Sequence, residues 1–122
     1  MTKLRVRTTS FVEALSEAAP ADDAAEARSF DDGTFLAVVA DGLGGAEGGG
    51  DAARKTVATY LANFRNRPRA WSPAKALEET TRHLNRQLHQ EGLARYESPE
   101  MASTVVAVAL DGDRLHLVNA GD

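Results

Sequence analysis

Apolar residues along this chain follow two different periods. Phe35 to Ala40 is a short unbroken apolar run of strand type. Ala24 to Phe30 forms a second strand candidate, and Asp31-Asp32-Gly33-Thr34 between the two carries the Asp-Gly signal of a tight hairpin. Ala53, Val57, Tyr60, Leu61 and Phe64 then recur at helical spacing, with Asp51 as the expected cap. After a basic, proline-containing break from Arg65 to Arg69, Ser72-Pro73 opens a second helix. Leu77, Thr81, Leu84 and Leu88 mark its inner stripe, and Glu78, Arg82, Arg86 and Gln90 its outer one. Gly92 is the expected stop, and Leu93 to Glu100 reads as a loop. Ser103 to Leu110 and Arg114 to Asn119 are β-branched or alternating strands joined by Asp111-Gly112-Asp113. Near the N-terminus, alternation from Leu4 to Val12 predicts a first strand, and Ala14 to Pro20 a loop.

The order of these elements predicts an α+β fold, an antiparallel sheet with two helices packed on it. The first hairpin has a chemical consequence. Asp22 or Asp23, where one strand begins, and Asp41, where its antiparallel partner ends, fall at the same end of the sheet. Carboxylates distant in sequence thereby converge, as a hard divalent cation requires.

Composition narrows the function classes. With 122 residues the chain holds one modest core. Its formal charge of −4 and the absence of a Lys/Arg block argue against nucleic acid or an anionic membrane surface as partner. Without cysteine, disulfides, thiolate metal sites and a cysteine nucleophile are excluded, while oxygen-ligated metals remain. No signal-peptide core or membrane-spanning window stands out, so a cytoplasmic location is expected. His83 and His89 lack the spacing that sets two ligands on one helical face, and Trp71 beside the second cap reads as a packing anchor.

The glycine-rich turn after Asp41 admits three chemistries. A P-loop ends in Gly-Lys-Ser/Thr, which Gly48-Gly49-Gly50-Asp51 does not supply. A dinucleotide fingerprint needs a third glycine where Glu47 stands. In the third, Asp41 binds metal, the Gly42 carbonyl adds a ligand, and the glycines admit a phosphate.

Asp41-Gly42-Leu43-Gly44-Gly45, followed by Gly50-Asp51-Ala52-Ala53, closely resembles the Asp-Gly-x-Gly-Gly signature of metal-dependent protein phosphatases of the 2C type. Met101-Ala102-Ser103-Thr104 is similar to that family's Met-Gly-Thr-Thr, and Asn119-Ala120-Gly121-Asp122 to the start of its Asn-x-Gly-Asp-Ser-Arg. Asn85 sits where the family often has asparagine. The resemblance implies a partial α-β-β-α sandwich and a protein serine/threonine phosphatase using two Mg²⁺ or Mn²⁺ ions to activate the attacking water. It implies Asp41 and Asp23 as catalytic acids and Asp23, Asp41, the Gly42 carbonyl and Asp122 as metal ligands. It further implies a phosphoprotein substrate and a cognate kinase as partners.

Departures from the family pattern qualify these expectations. Its Asn-Glu-Asp segment reads Ala21-Asp22-Asp23 here, and its phosphate-gripping arginine is replaced by Ala18. Arg5, Arg7 and Arg28 are the candidates to substitute. The family's later aspartates fall beyond Asp122, so residues 1–122 are expected to be a single, truncated domain, weakly active or inactive alone. A non-catalytic regulatory module is the alternative, and a nucleotide-binding α/β domain a third. The unfinished sandwich predicts a homo-oligomer or a complementing chain.

Overall fold

The structure, a computed structural model, describes residues 5–13, 21–43, 48–96 and 101–121. Four strands and two helices follow in the order β1 (Asp23–Ser29), β2 (Phe35–Asp41), α1 (Gly49–Arg65), α2 (Pro73–Tyr96), β3 (Val105–Asp111) and β4 (Arg114–Ala120). The strands form one antiparallel sheet in the order β1-β2-β3-β4. Both hairpins close as their Asp-Gly turns predict. Gly33 and Gly112 supply the positive φ, at 88° and 62°.

Alternation along each strand sends one set of side chains to each face. Leu36, Val38 and Ala40 of β2 and Val105, Ala107 and Ala109 of β3 are buried, and together with residues of both helices they form the core. α1 contributes Ala53, Val57, Tyr60, Leu61 and Phe64, and α2 contributes Leu77, Leu84 and Leu88. Each large apolar side chain so buried stabilises the fold by about 1.5–3 kcal/mol. Polar groups within this layer are satisfied locally. Thr56 Oγ1 donates to the Ala52 carbonyl at 2.8 Å, and the Tyr60 hydroxyl meets Thr81 Oγ1. Burial pushes the Tyr60 phenol above its ordinary 10.0, with the Thr81 hydrogen bond opposing.

Four expectations are corrected. Residues 5–13 form no strand; Phe11 is 85% exposed and the segment borders the open side of β1 and β2. Alternation defines a face but does not provide a pairing edge. Helix α1 starts at Gly49 with Gly48 as its cap, and Asp51 lies in the first turn, where its carboxylate accepts from Arg54 at 2.7 Å and Arg95 at 3.2 Å. Helix α2 passes through Gly92 to Tyr96, so Gly92 is not its stop and the first four residues of the expected loop are helical, while residues 97–100 lie outside the described residues. A single helical glycine costs about 1 kcal/mol, and Arg95 ties that last turn to Glu91 and Asp51. β3 begins at Val105, and Ser103 forms only an isolated bridge with Gly42.

Ser72 caps α2 as expected, its Oγ accepting from Lys75 N at 3.1 Å. No helix among the described residues is long and apolar enough to cross a membrane.

Candidate metal centre

The β1–β2 register sets Asp23 directly opposite Asp41 at the open end of the sheet. Both carboxyls are exposed. A side-chain hydrogen bond with Asp41 is the main influence holding the Asp23 carboxyl above its ordinary 3.8. The slight loss of water around it and the negative charges of Asp41 and Asp22 act in the same direction. Two facing carboxyls whose negative charges repel form a site to which a divalent cation is attracted. Asp22 is placed differently: its carbonyl accepts from Gly42 N at 2.9 Å, so this residue serves through its backbone.

The backbone under Asp41 is held from the other side by the segment leading into β3. Thr104 N donates to the Asp41 carbonyl at 2.8 Å, Ser103 Oγ donates to the same carbonyl at 3.2 Å, and Asp41 N donates to Thr104 Oγ1 at 3.3 Å. Leu43 N donates to the Ala102 carbonyl at 3.0 Å, extending the clamp by two residues. Asp41, Gly42, Ser103 and Thr104 thus line a small groove of about 300 Å³. The roles of Ser103 and Thr104 could not be read from spacing alone, because they depend on a pairing across more than 60 residues of chain.

Gly42 has a steric reason. A Cβ there would lie 1.9 Å from the Gly49 carbonyl oxygen and 2.7 Å from that of Asp22. The first turn of α1 therefore packs directly on the end of β2, and glycine is what permits that approach. The same contact sets the start of α1 beside the strand end that carries Asp41.

Of the arginines expected to replace the missing phosphate donor, Arg28 lies toward the other end of β1, opposite Leu36, and pairs with Glu26 at 2.6 Å. Arg5 and Arg7 are exposed in the irregular segment. A guanidinium that sequence reading missed is nearer. Arg54 Nη1 reaches the Ala21 carbonyl at 3.5 Å while Nη2 holds Asp51. Its signal was the Asp51/Arg54 spacing at the start of a helix. His83 and His89 are exposed, and Trp71 packs at the core margin as expected. Asp122 lies outside the described residues, as does Ala18.

Among the described residues, no cluster of three or more His, Cys, Asp or Glu side chains forms. The donor set is two carboxylates and neighbouring carbonyls. Hard oxygen donors suit Mg²⁺ or Mn²⁺, and a cation between Asp23 and Asp41 would relieve their repulsion, so these residues fit such an ion as part of a shell.

Comparison with known proteins agrees with this fold. The serine/threonine phosphatase of S. agalactiae superposes with a TM-score of 0.71 at 22% identity, covering 92% of this chain and 47% of that one. The Mycobacterium tuberculosis serine/threonine phosphatase PstP/Ppp does so with 0.68 at 26%, covering 85% and 42%. The catalytic domain of PstP in complex with two manganese ions gives 0.71 at 24%, covering 93% and 46%. The chain thus spans about half the length of the solved structures it matches. No curated protein sequence matches it. The family model for protein phosphatase 2C matches residues 12–122, which include the paired acids, the glycine turn and both hairpins; on that ground this chain belongs to the protein phosphatase 2C family.

Proposed function

We propose that this chain supplies one half of the hydrolytic centre of a metal-dependent protein serine/threonine phosphatase, acting on phosphoserine or phosphothreonine in protein substrates. The observation that carries the reading is the register pairing of Asp23 with Asp41 inside a chain of this family. Asp41, Asp23 and the Gly42 carbonyl are the groups that would hold Mg²⁺ or Mn²⁺, with Asp122 as a further ligand. When bound, such ions supply Lewis acidity and lower the pKa of water. The chain's own residues do the positioning. Ser103 and Thr104 hold the Asp41 backbone, Gly42 lets α1 close against it, and the β1–β2 register keeps the Asp23 carboxyl facing Asp41.

Calorimetric titration with Mn²⁺ tests the reading. Binding by the unaltered chain, lost in Asp41→Asn and weakened in Asp23→Asn, is expected; binding indifferent to both substitutions overturns it. Slow Mn²⁺-dependent hydrolysis of p-nitrophenyl phosphate, abolished by Asp41→Asn, is the matching activity. A non-catalytic regulatory module is favoured instead by the small number of ligands at this end of the sheet; silence in the titration supports it. We further propose self-association through the open face of the sheet, where Val39, Val106, Leu115 and Leu117 are exposed.

A further inference from the structure

The other end of the sheet carries a groove of opposite character. Its volume is about 610 Å³, within the range of ligand pockets, and it opens where the β1–β2 turn, the α1–α2 connection and the β3–β4 turn meet. Arg65, Arg67, Arg69 and Arg114 line it, against Asp32 and Asp111. Of the four arginines, Arg67 is committed. It donates to Asp32 Oδ2 at 2.7 Å and to the Phe64 carbonyl at 2.8 Å, and its guanidinium lies 4.2 Å from the Phe64 ring centroid. Arg65, Arg69 and Arg114 are exposed and make no ion pair among the described residues. The α2 N-terminus, with its positive dipole end, opens onto the same groove beside Trp71. A chain of net charge −4 therefore concentrates three uncommitted guanidinium groups and an aromatic ring at one place.

We propose that this groove binds an acidic segment of a partner polypeptide. Guanidinium forks match carboxylates with paired hydrogen bonds, and the walls formed by Trp71, Pro68 and Pro73 offer apolar contact to the rest of a peptide. Asp32 and Asp111 stand among the arginines, which suits a chain of spaced carboxylates better than a continuous phosphodiester backbone; the net charge of the molecule works in the same direction. The groove is one β2 length from Asp41, about 20 Å at the usual strand rise. A segment held there lies well away from the group being hydrolysed, so phosphoproteins with a remote acidic stretch are the substrate class it selects. That last step rests on the phosphatase reading; the binding itself does not.

Trp71 is the single tryptophan of the chain and reports on the groove directly. Its emission is titrated with hexaglutamate in EDTA, so that no metal-dependent event contributes. A saturable change is expected, with affinity falling about tenfold in the Arg65→Glu/Arg114→Glu double variant and falling with added salt. Both side chains are exposed, so the fold is retained, as far-UV circular dichroism checks; if it is not, Arg69→Glu alone carries the same test. No saturable change, an equal response to hexaglutamine, unaltered affinity in the variants, or tighter binding of a single-stranded DNA hexamer each overturns the proposal. Loss of Mn²⁺ binding with hexaglutamate binding intact would instead count against the phosphatase reading alone.

Discussion

Replacing Asp23 with Asn removes one of two facing negative charges without changing the shape of the strand end. Because the folded-state pKa of Asp23 is raised, the folded chain holds more protons than the unfolded one just above pH 3.8, and stability from this group declines as pH rises through that window. In EDTA at pH 7, Asp23→Asn is therefore expected to raise the urea midpoint, with the advantage vanishing below pH 3.8. Mn²⁺ should reverse the order, stabilising the unaltered chain more than the variant. Gly42→Ala makes the opposite kind of change. With backbone oxygen 1.9 Å from the new Cβ, the start of α1 must shift, and a loss of about 2–3 kcal/mol in chemical denaturation is expected. Both residues belong to one motif, yet one is retained for its charge and the other for the lack of a side chain.

Elements are joined by a few polar ties laid over the apolar core. Lys55 of α1 pairs with Glu91 of α2, which Arg95 also contacts at 3.0 Å. The Lys55 hydrogen bond, followed by that of Arg95, holds the Glu91 carboxyl below its ordinary 4.5. A lowered carboxylate contributes stability above pH 4.5 and loses it as pH falls through its folded value. Glu91→Gln should cost about 0.5–1 kcal/mol at pH 7 and nothing in acid, read from urea curves at both conditions. Ser72→Ala removes the acceptor at the start of α2 and should cost about 1 kcal/mol in the same assay. At the other end of α1, Arg67 fastens the β1–β2 turn through Asp32. Burial alone would raise the Asp32 carboxyl, but hydrogen bonds from Thr34 and Arg67 outweigh it and keep it below 3.8.

At the scale of the whole molecule, the sheet is covered on one face and open on the other. Helices α1 and α2 lie over Leu36, Val38, Val105 and Ala107, while Val39 at 56%, Val106 at 42%, and Leu115 and Leu117 at 61% face solvent. Across the pairs Val39–Val106 and Val108–Leu117 these residues form a continuous apolar surface. Light scattering of the purified chain is expected to show a dimer or larger species, and Leu117→Lys should shift it toward monomer. A monomer for the unaltered chain would mean that the surface is tolerated in water.

Local pattern determined much of this protein. Helical spacing, the Ser72-Pro73 start and the two Asp-Gly turns depend on near neighbours, and each element they predict is present. The hairpin between β1 and β2 was enough to bring Asp23 to Asp41, because antiparallel strands joined by a short turn can pair in few ways. Other features arise between residues far apart in the chain, where spacing carries no signal. The clamp of Ser103 and Thr104 on Asp41, the packing of Gly49 on Gly42, the helix persisting past Gly92, and the gathering of Arg65, Arg69 and Arg114 around Trp71 all belong to that class. The N-terminal alternation shows the reverse limit, since a strand exists only where another offers its edge. Tertiary packing decided these points because their free energy lies in contacts that no single segment contains.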